Sequence, residues 1–226
     1  MDIKLNSLAG IFFIGIESKE IKNKRSKAKV KKLLTIDCGE ILLREYTIDD
    51  VDAIVEITSQ PEVYTFLPDF RTTREQRLDW LINYEIPANQ SFLKAIPAID
   101  DQTYLRLGII LKETDQLIGF CMTGLKEELP PPNREIVYAI SKYFRNKGYT
   151  TEAAKGLINF LFKKTNAEIL NAVALTHNIG SNRVIQKCGF EQVDRIEIKN
   201  QSYYHYQICK SEWLEKETIF VWNSIN

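Results

Sequence analysis

The sequence predicts a single α/β domain built around one mixed sheet. Three observations lead there. A chain of 226 residues buries one sizeable core more readily than two small ones. Its apolar periodicity gives the order strand, two helices, three strands, helix, strand, helix, two strands. That order lacks the repeated βαβ unit of a doubly wound parallel sheet.

Residues 41–46 form a short β run, and Thr47 is placed to cap a helix over 49–58, where Asp49 and Asp50 suit the positive end of the dipole. Pro61 ends that helix. A second helix over 73–84 carries Leu78, Leu81 and Ile82 on one face, and the stretch 87–97, bounded by prolines, reads as a loop. Residues 104–112 and 117–125 read as a hairpin around a polar turn. A run of three prolines, 130–132, precedes a strand over 135–140. The helix 150–164 has Ala153, Ala154, Leu157, Ile158, Leu161 and Phe162 at helical spacing, so one side is core. Residues 169–175 make a strand, 180–188 a short helix, and 190–198 with 203–208 a closing hairpin around Asn200.

Basic and acidic residues number 30 each, so net charge gives no reason to seek nucleic acid or an anionic membrane. The first 32 residues hold nine basic and three acidic ones, which sets residues 1–40 apart as a basic extension preceding or packing on a domain of residues 41–226. No aromatic residue interleaves the charges of 19–32, so a nucleic-acid arm is unexpected and a solvated basic face is the simpler reading. Cys38, Cys121, Cys188 and Cys209 form no C-x-x-C pair and read as free thiols of a reducing, cytoplasmic compartment. With His177 and His205 as the only histidines, no metal site is expected. The apolar run 8–16 is too short to span a bilayer and lacks a small-residue cleavage site after it.

The segment between Ile140 and the helix at 150 carries the chemistry. A glycine just before a helix permits a tight turn, and first-turn N–H groups have no intrahelical acceptor, so they point at any anion that docks there. Gly148 stands at that place, with Arg145 and Lys147 adding positive charge. An ordinary capped helix, with Thr150 and Thr151 satisfying local donors, is the alternative.

Arg145, Gly148 and Thr150 fall on the Q/R-x-x-G-x-G/A positions of the GNAT acetyltransferases, which this segment resembles. Thr150 replaces the usual small residue. A second block, Asn178 to Phe190, is similar to the N-x-x-S/A…K-x-G-F block of the same family, and the nearest branch is the ribosomal-protein-alanine (RimJ/RimL-type) acetyltransferases. The resemblance implies a mostly antiparallel central sheet of about seven strands, splayed at the middle, with helices on both faces. It implies acetyl-CoA as co-substrate. The pyrophosphate would lie on Arg145, Asn146, Lys147, Gly148, Tyr149 and Thr150. The pantetheine would follow the backbone of 137–140, at Tyr138 and Ile140, with Asn178 opposite. Such a splay leaves edge N–H and C=O groups without a strand partner, and a ligand takes their place.

The implied reaction is direct attack of a primary amine on the thioester. Glu135, at the start of the cofactor-side strand, is the candidate base, and a backbone N–H near Tyr138–Ile140 the donor to the oxyanion. Relatives often carry a tyrosine five residues before the phenylalanine of the G-F pair, but Ile185 stands there. Ser181 is the remaining candidate acid, although a free thiol pKa of roughly 8.5 lets a thiolate leave unaided. His177 stands beside Asn178 at a strand end. Tyr203, Tyr204 and Tyr206 divide between core and cleft rim. Acidic loops with Asp100, Asp101, Glu127 and Glu128 favour a cationic acceptor: a peptide or ribosomal-protein N-terminus, or a small amine. Two other readings stay open, an acyl-CoA sensor without turnover and a ribosome-associated module; a homodimer also stays open.

Overall fold

The computed structural model describes residues 33–100 and 102–215. The apolar run 8–16, the basic segment 19–32 and Asp101 lie outside the described residues. All described residues belong to the compact unit Leu33–Asn226.

One sheet of eight strands organises the fold: β1 Thr35–Cys38, β2 Ile41–Glu45, β3 Leu105–Leu111, β4 Gln116–Leu125, β5 Arg134–Ile140, β6 Ile169–Leu175, β7 Glu191–Ile198 and β8 Gln201–Cys209. Their spatial order is β1-β2-β3-β4-β5-β6-β8-β7. Every neighbouring pair runs antiparallel except β5 and β6, which are parallel. The strand beyond the expected seven is β1, which pairs with β2 from Thr35↔Arg44 to Cys38↔Ile41. The end of the 1–40 segment is therefore part of the sheet.

Alternation along the strands feeds two cores. Leu105, Leu107 and Ile109 of β3 pack with Ile136, Ile140 and the helix side chains Leu157 and Phe162 on one face. Ile110, Phe120, Met122 and Ala139 pack with Ile54 and Ile57 on the other. The second face is covered by α1 (Val51–Thr58), α2 (Pro61–Tyr64) and α3 (Arg74–Trp80); the first by α5 (Tyr149–Lys164), α6 (Ile179–Lys187) and Phe92 of α4 (Ile86–Ala95). On α5 the residues picked out by spacing, from Ala153 to Phe162, are all buried. Each large one contributes about 1.5–3 kcal/mol of transfer free energy. Gly156 of α5 is glycine for a packing reason: a Cβ there would stand 2.3 Å from the Cys38 sulfur, so the missing side chain lets β1 lie against the helix.

Thr47 is the N-cap of the 3-10 turn Ile48–Asp50 that leads into α1, and Asp50 closes a capping box with it. The Asp50 carboxylate accepts from the Thr47 N–H at 2.6 Å and takes a two-pronged bond from Arg44 at 2.9 and 2.8 Å.

The expected loop at 87–97 is wrong over most of its length. Residues 86–95 are α4, continuous with α3 through a π-helical turn at Leu81–Glu85. Pro87 lacks an N–H, which argues against helix interior. It sits in the first turn of α4, just after the wide turn, where a missing donor costs least. The helix stops at Ala95, before Pro97.

The parallel pair is what builds the site. β5 and β6 are bridged at one position only, Glu135↔Asn171, whereas β6 pairs with β8 along its whole length. Beyond that bridge the two strands diverge and the sheet opens as a wedge. Asn171, 1% exposed, fixes the closed end. Its amide donates to the carbonyls of Pro132 at 2.9 Å and Arg134 at 3.2 Å, and its oxygen accepts from Gln207 at 3.0 Å. The same oxygen lies 2.9 Å from His205 Nε2 and can only accept, so the imidazole donates.

Candidate active site

The wedge is one cleft of about 800 Å³. One wall is β5, from Glu135 to Ile140; the other is the end of β6 and the start of α6. Five residue steps, about 17 Å of strand, separate a carboxyl at the closed end from a cationic turn at the open end.

The turn follows β5 directly. Residues Lys142–Phe144 make one 3-10 turn, Asn146 takes φ 63°, and Gly148 takes φ 89° as the N-cap of α5. No side chain caps α5, so its first N–H groups stay available to a ligand. Thr150 and Thr151 give no side-chain cap, while the Thr151 N–H bonds the Gly148 carbonyl at 2.9 Å. Gln60, 6% exposed at the corner between α1 and α2, anchors the turn from behind: its amide donates to Ser141 Oγ at 3.1 Å and accepts from the Lys142 N–H at 2.8 Å. Arg145 donates to the Glu62 carbonyl at 2.7 Å. Gly148→Ala is expected to lower unfolding free energy by about 1–2 kcal/mol, because an L side chain resists left-handed backbone. Urea denaturation reads this, and an unchanged midpoint would contradict it.

Arg145, Asn146, Thr150 and Asn178 line the cleft, as do Tyr138 and Ile140. Lys147, Gly148 and Tyr149 lie on the same turn without lining it. Lys147 sits over the Phe144 ring at 5.8 Å, and the Tyr149 hydroxyl faces Glu40. Asn178 is the N-cap of α6, its side-chain oxygen accepting from the Ser181 N–H at 3.2 Å. The Asn182 amide donates to the carbonyls of Asn178 and Leu175 and accepts from the buried Tyr206 hydroxyl, which fixes α6 against β6 and β8.

Glu135 is half-buried in the cleft wall. Desolvation pushes its pKa up to about 7, with Glu128 adding repulsion, while Lys126 and the Val173 N–H pull against it. A carboxyl of this kind both takes and releases a proton near neutrality. Ser181 lines the opposite wall, where the Tyr138 hydroxyl donates to its carbonyl at 3.0 Å and lies 3.2 Å from its Oγ. Ile185 is 2% exposed and packs into the core.

His177 is exposed and meets Phe66 across the cleft with ring centroids 6.0 Å apart. Of the tyrosines on β8, Tyr203 lines the cleft, Tyr206 is core, and Tyr204 is half-buried edge-on to Tyr206. Glu128 reaches the cleft but is paired with Lys126 at 3.2 Å, whereas Glu127 and Asp100 are exposed outside it. Asn171, Gln60 and the reach of the Tyr138 side chain escaped the sequence reading. Among the described residues no group of three or more His, Cys, Asp or Glu is placed to hold a metal ion.

A splayed sheet with an open strand edge, a helix N-terminus at one end and a carboxyl titrating near neutrality at the other defines an enzyme for an extended anionic ligand. Residues 40–191 match the Acetyltransferase (GNAT) domain family, so the chain belongs to the GNAT acetyltransferases and is an acetyl-transferring enzyme. It is 25% identical over 184 residues to the uncharacterized N-acetyltransferase YnaD of Bacillus subtilis, covering 79% of this chain and 98% of that one. A GNAT-family acetyltransferase structure from Bacillus anthracis superposes with TM-score 0.64 at 22% identity, over 79% of this chain and 99% of that one. The ribosomal L7/L12 α-N-protein acetyltransferase RimL, solved in complex with coenzyme A, superposes with TM-score 0.62 at 12% identity, over 78% of this chain and 98% of that one.

Proposed function

We propose that this chain moves the acetyl group of acetyl-CoA to the nitrogen of a primary amine. The observation that carries the reading is the edge of β5, unpaired from Ile136 onward and leading from Glu135 to the uncapped N-terminus of α5. The first-turn N–H groups, Arg145 and Asn146 would hold the pyrophosphate, and the open backbone at Tyr138 and Ile140 the pantetheine, with Asn178 opposite. Acetyl-CoA supplies the activated acetyl group as a thioester.

Glu135 holds the key proton in this account. As carboxylate it accepts a proton from the acceptor ammonium, or through water, and its pKa of about 7 keeps enough base ionised at neutral pH. For the acceptor we favour a peptide or protein N-terminal amine, supported by the likeness to RimL, with a small amine as the other candidate. No helix among the described residues is long and apolar enough to cross a membrane, and the cysteine usage supports a cytoplasmic setting.

Cell extract incubated with the protein and isotope-labelled acetyl-CoA tests this reading. Label on a protein or peptide N-terminus is expected; label on a small amine moves the acceptor class. Tight coenzyme binding with no labelled product from any amine would overturn it in favour of a sensor.

A further inference from the structure

Beyond the closed end, a polar contact joins the two walls of the wedge. Tyr138 reaches from β5 across the opening to α6, where its hydroxyl meets the Ser181 carbonyl and Oγ at 3.0 and 3.2 Å. Ser181 is the one hydroxyl residue of α6, and the neighbouring cleft positions on that helix, Val184 and Ile185, are apolar. The Tyr138–Ser181 pair therefore sets two hydroxyls side by side where the walls meet.

Strand geometry sets which side that is. Side chains alternate along β5, so Glu135 and Tyr138, three residues apart, face opposite ways. Packing agrees: Val137 and Ala139 join the core under α1, while Ile136, Tyr138 and Ile140 join the core under α5. In an acyl transfer the incoming nitrogen and the departing sulfur occupy different sides of the carbonyl carbon. The Glu135 face serves the amine, which leaves the Tyr138 face for the sulfur.

Resting on the acetyl-transfer reading above, we propose that the Tyr138 hydroxyl is the hydrogen-bond donor to the departing coenzyme sulfur, with Ser181 orienting it. The nitrogen–carbon bond forms as the carbon–sulfur bond breaks, and the pair of electrons from the broken bond stays on sulfur. Glu135 takes the proton lost by the amine and returns it to solvent. Tyr138 keeps its hydrogen and holds it against the sulfur, which then takes a proton from solvent. Burial pushes the phenol pKa well above its ordinary value, so the donor stays protonated throughout the working range. Ser181 Oγ is close enough to donate to the phenol oxygen when the phenol hydrogen turns into the cleft.

The test follows the thiol of bound coenzyme A by its ultraviolet thiolate absorbance against pH, alongside steady-state rates and thermal unfolding. A donor at sulfur stabilises the thiolate, so bound thiol in wild type is expected to ionise about one unit below the roughly 8.5 of a free thiol. In Tyr138→Phe it returns to the free value. The kcat of that variant falls about 10–100-fold, with KM for acetyl-CoA changed less than about threefold. Ser181→Ala shifts both readouts less, because it removes a donor to the phenol oxygen and leaves the phenol in place. Equal thiol titration in wild type and Tyr138→Phe overturns the proposal, as does a larger loss in Ser181→Ala. A wild type that acetylates no amine contradicts the transferase reading instead, and the thiol titration still decides on Tyr138.

Discussion

Replacing Glu135 with Gln is expected to lower kcat/KM at least about 100-fold, the usual worth of a positioned general base. The pH dependence gives the sharper signature. In wild type the base is competent when ionised, so kcat/KM rises with pH up to about 7 and levels above it. Glu135→Gln loses that limb. Stability moves the opposite way. A carboxyl whose folded pKa lies above its unfolded value favours the fold in its neutral form. That contribution is complete below about pH 4.5 and is lost as pH rises through about 7. Glu135→Gln should therefore melt higher than wild type at pH 8 and like wild type near pH 4, since Gln keeps the shape without the buried charge. A variant with near-wild-type rates and an unchanged pH profile would remove Glu135 from the chemistry.

The second large effect concerns the helical layer that backs the cleft. Arg77 and Glu85 are 2% and 5% exposed and bonded at 2.8 Å, and Arg77 also donates to the Phe70 carbonyl at 2.9 Å. Phe70 lines the cleft and stacks on Phe120 with centroids 5.3 Å apart. Arg77→Leu leaves the Glu85 carboxylate buried with only Arg106 nearby, at 3.9 Å. The expected cost is about 3–5 kcal/mol, read by urea denaturation. The double replacement Arg77→Leu, Glu85→Leu should regain most of it, because an apolar pair of similar volume avoids the desolvation of two charges. A single variant losing less than about 1 kcal/mol would mean that water reaches Glu85 and relieves it.

Where function rests on neighbours in sequence, it was legible. The turn from Arg145 to Thr150 is local, so a glycine before a helix was readable there as the N-cap of α5, with two cations beside it. The strand 169–175 and the buried face of α5 followed from periods of 2.0 and 3.6 residues. Legibility failed in two physical situations. One was a local rule overridden by context: Pro87 argued for a loop, yet a widened turn at Leu81–Glu85 lets the helix run on. The other was contact at long range. Gln60 meets Ser141 across 81 residues, Tyr138 meets Ser181 across 43, and Asn171 meets Pro132 across 39. These partners lie together because the strand order sets β6 beside β5 and the packing puts the α1–α2 corner behind the turn after β5. No periodicity encodes that. The place of Ile185 was readable as a missing hydroxyl, but what faces the cleft beside it was not.

The central claim is that acetyl-CoA lies in the wedge between β5 and β6 with its phosphates on the turn before α5. Amide hydrogen exchange, with and without acetyl-CoA, tests it residue by residue. The account predicts slowed exchange at the free β5 edge within 137–140 and at the first-turn amides of Gly148–Thr150, with β7 unchanged. Binding that leaves both segments exchanging at their free rates would contradict it.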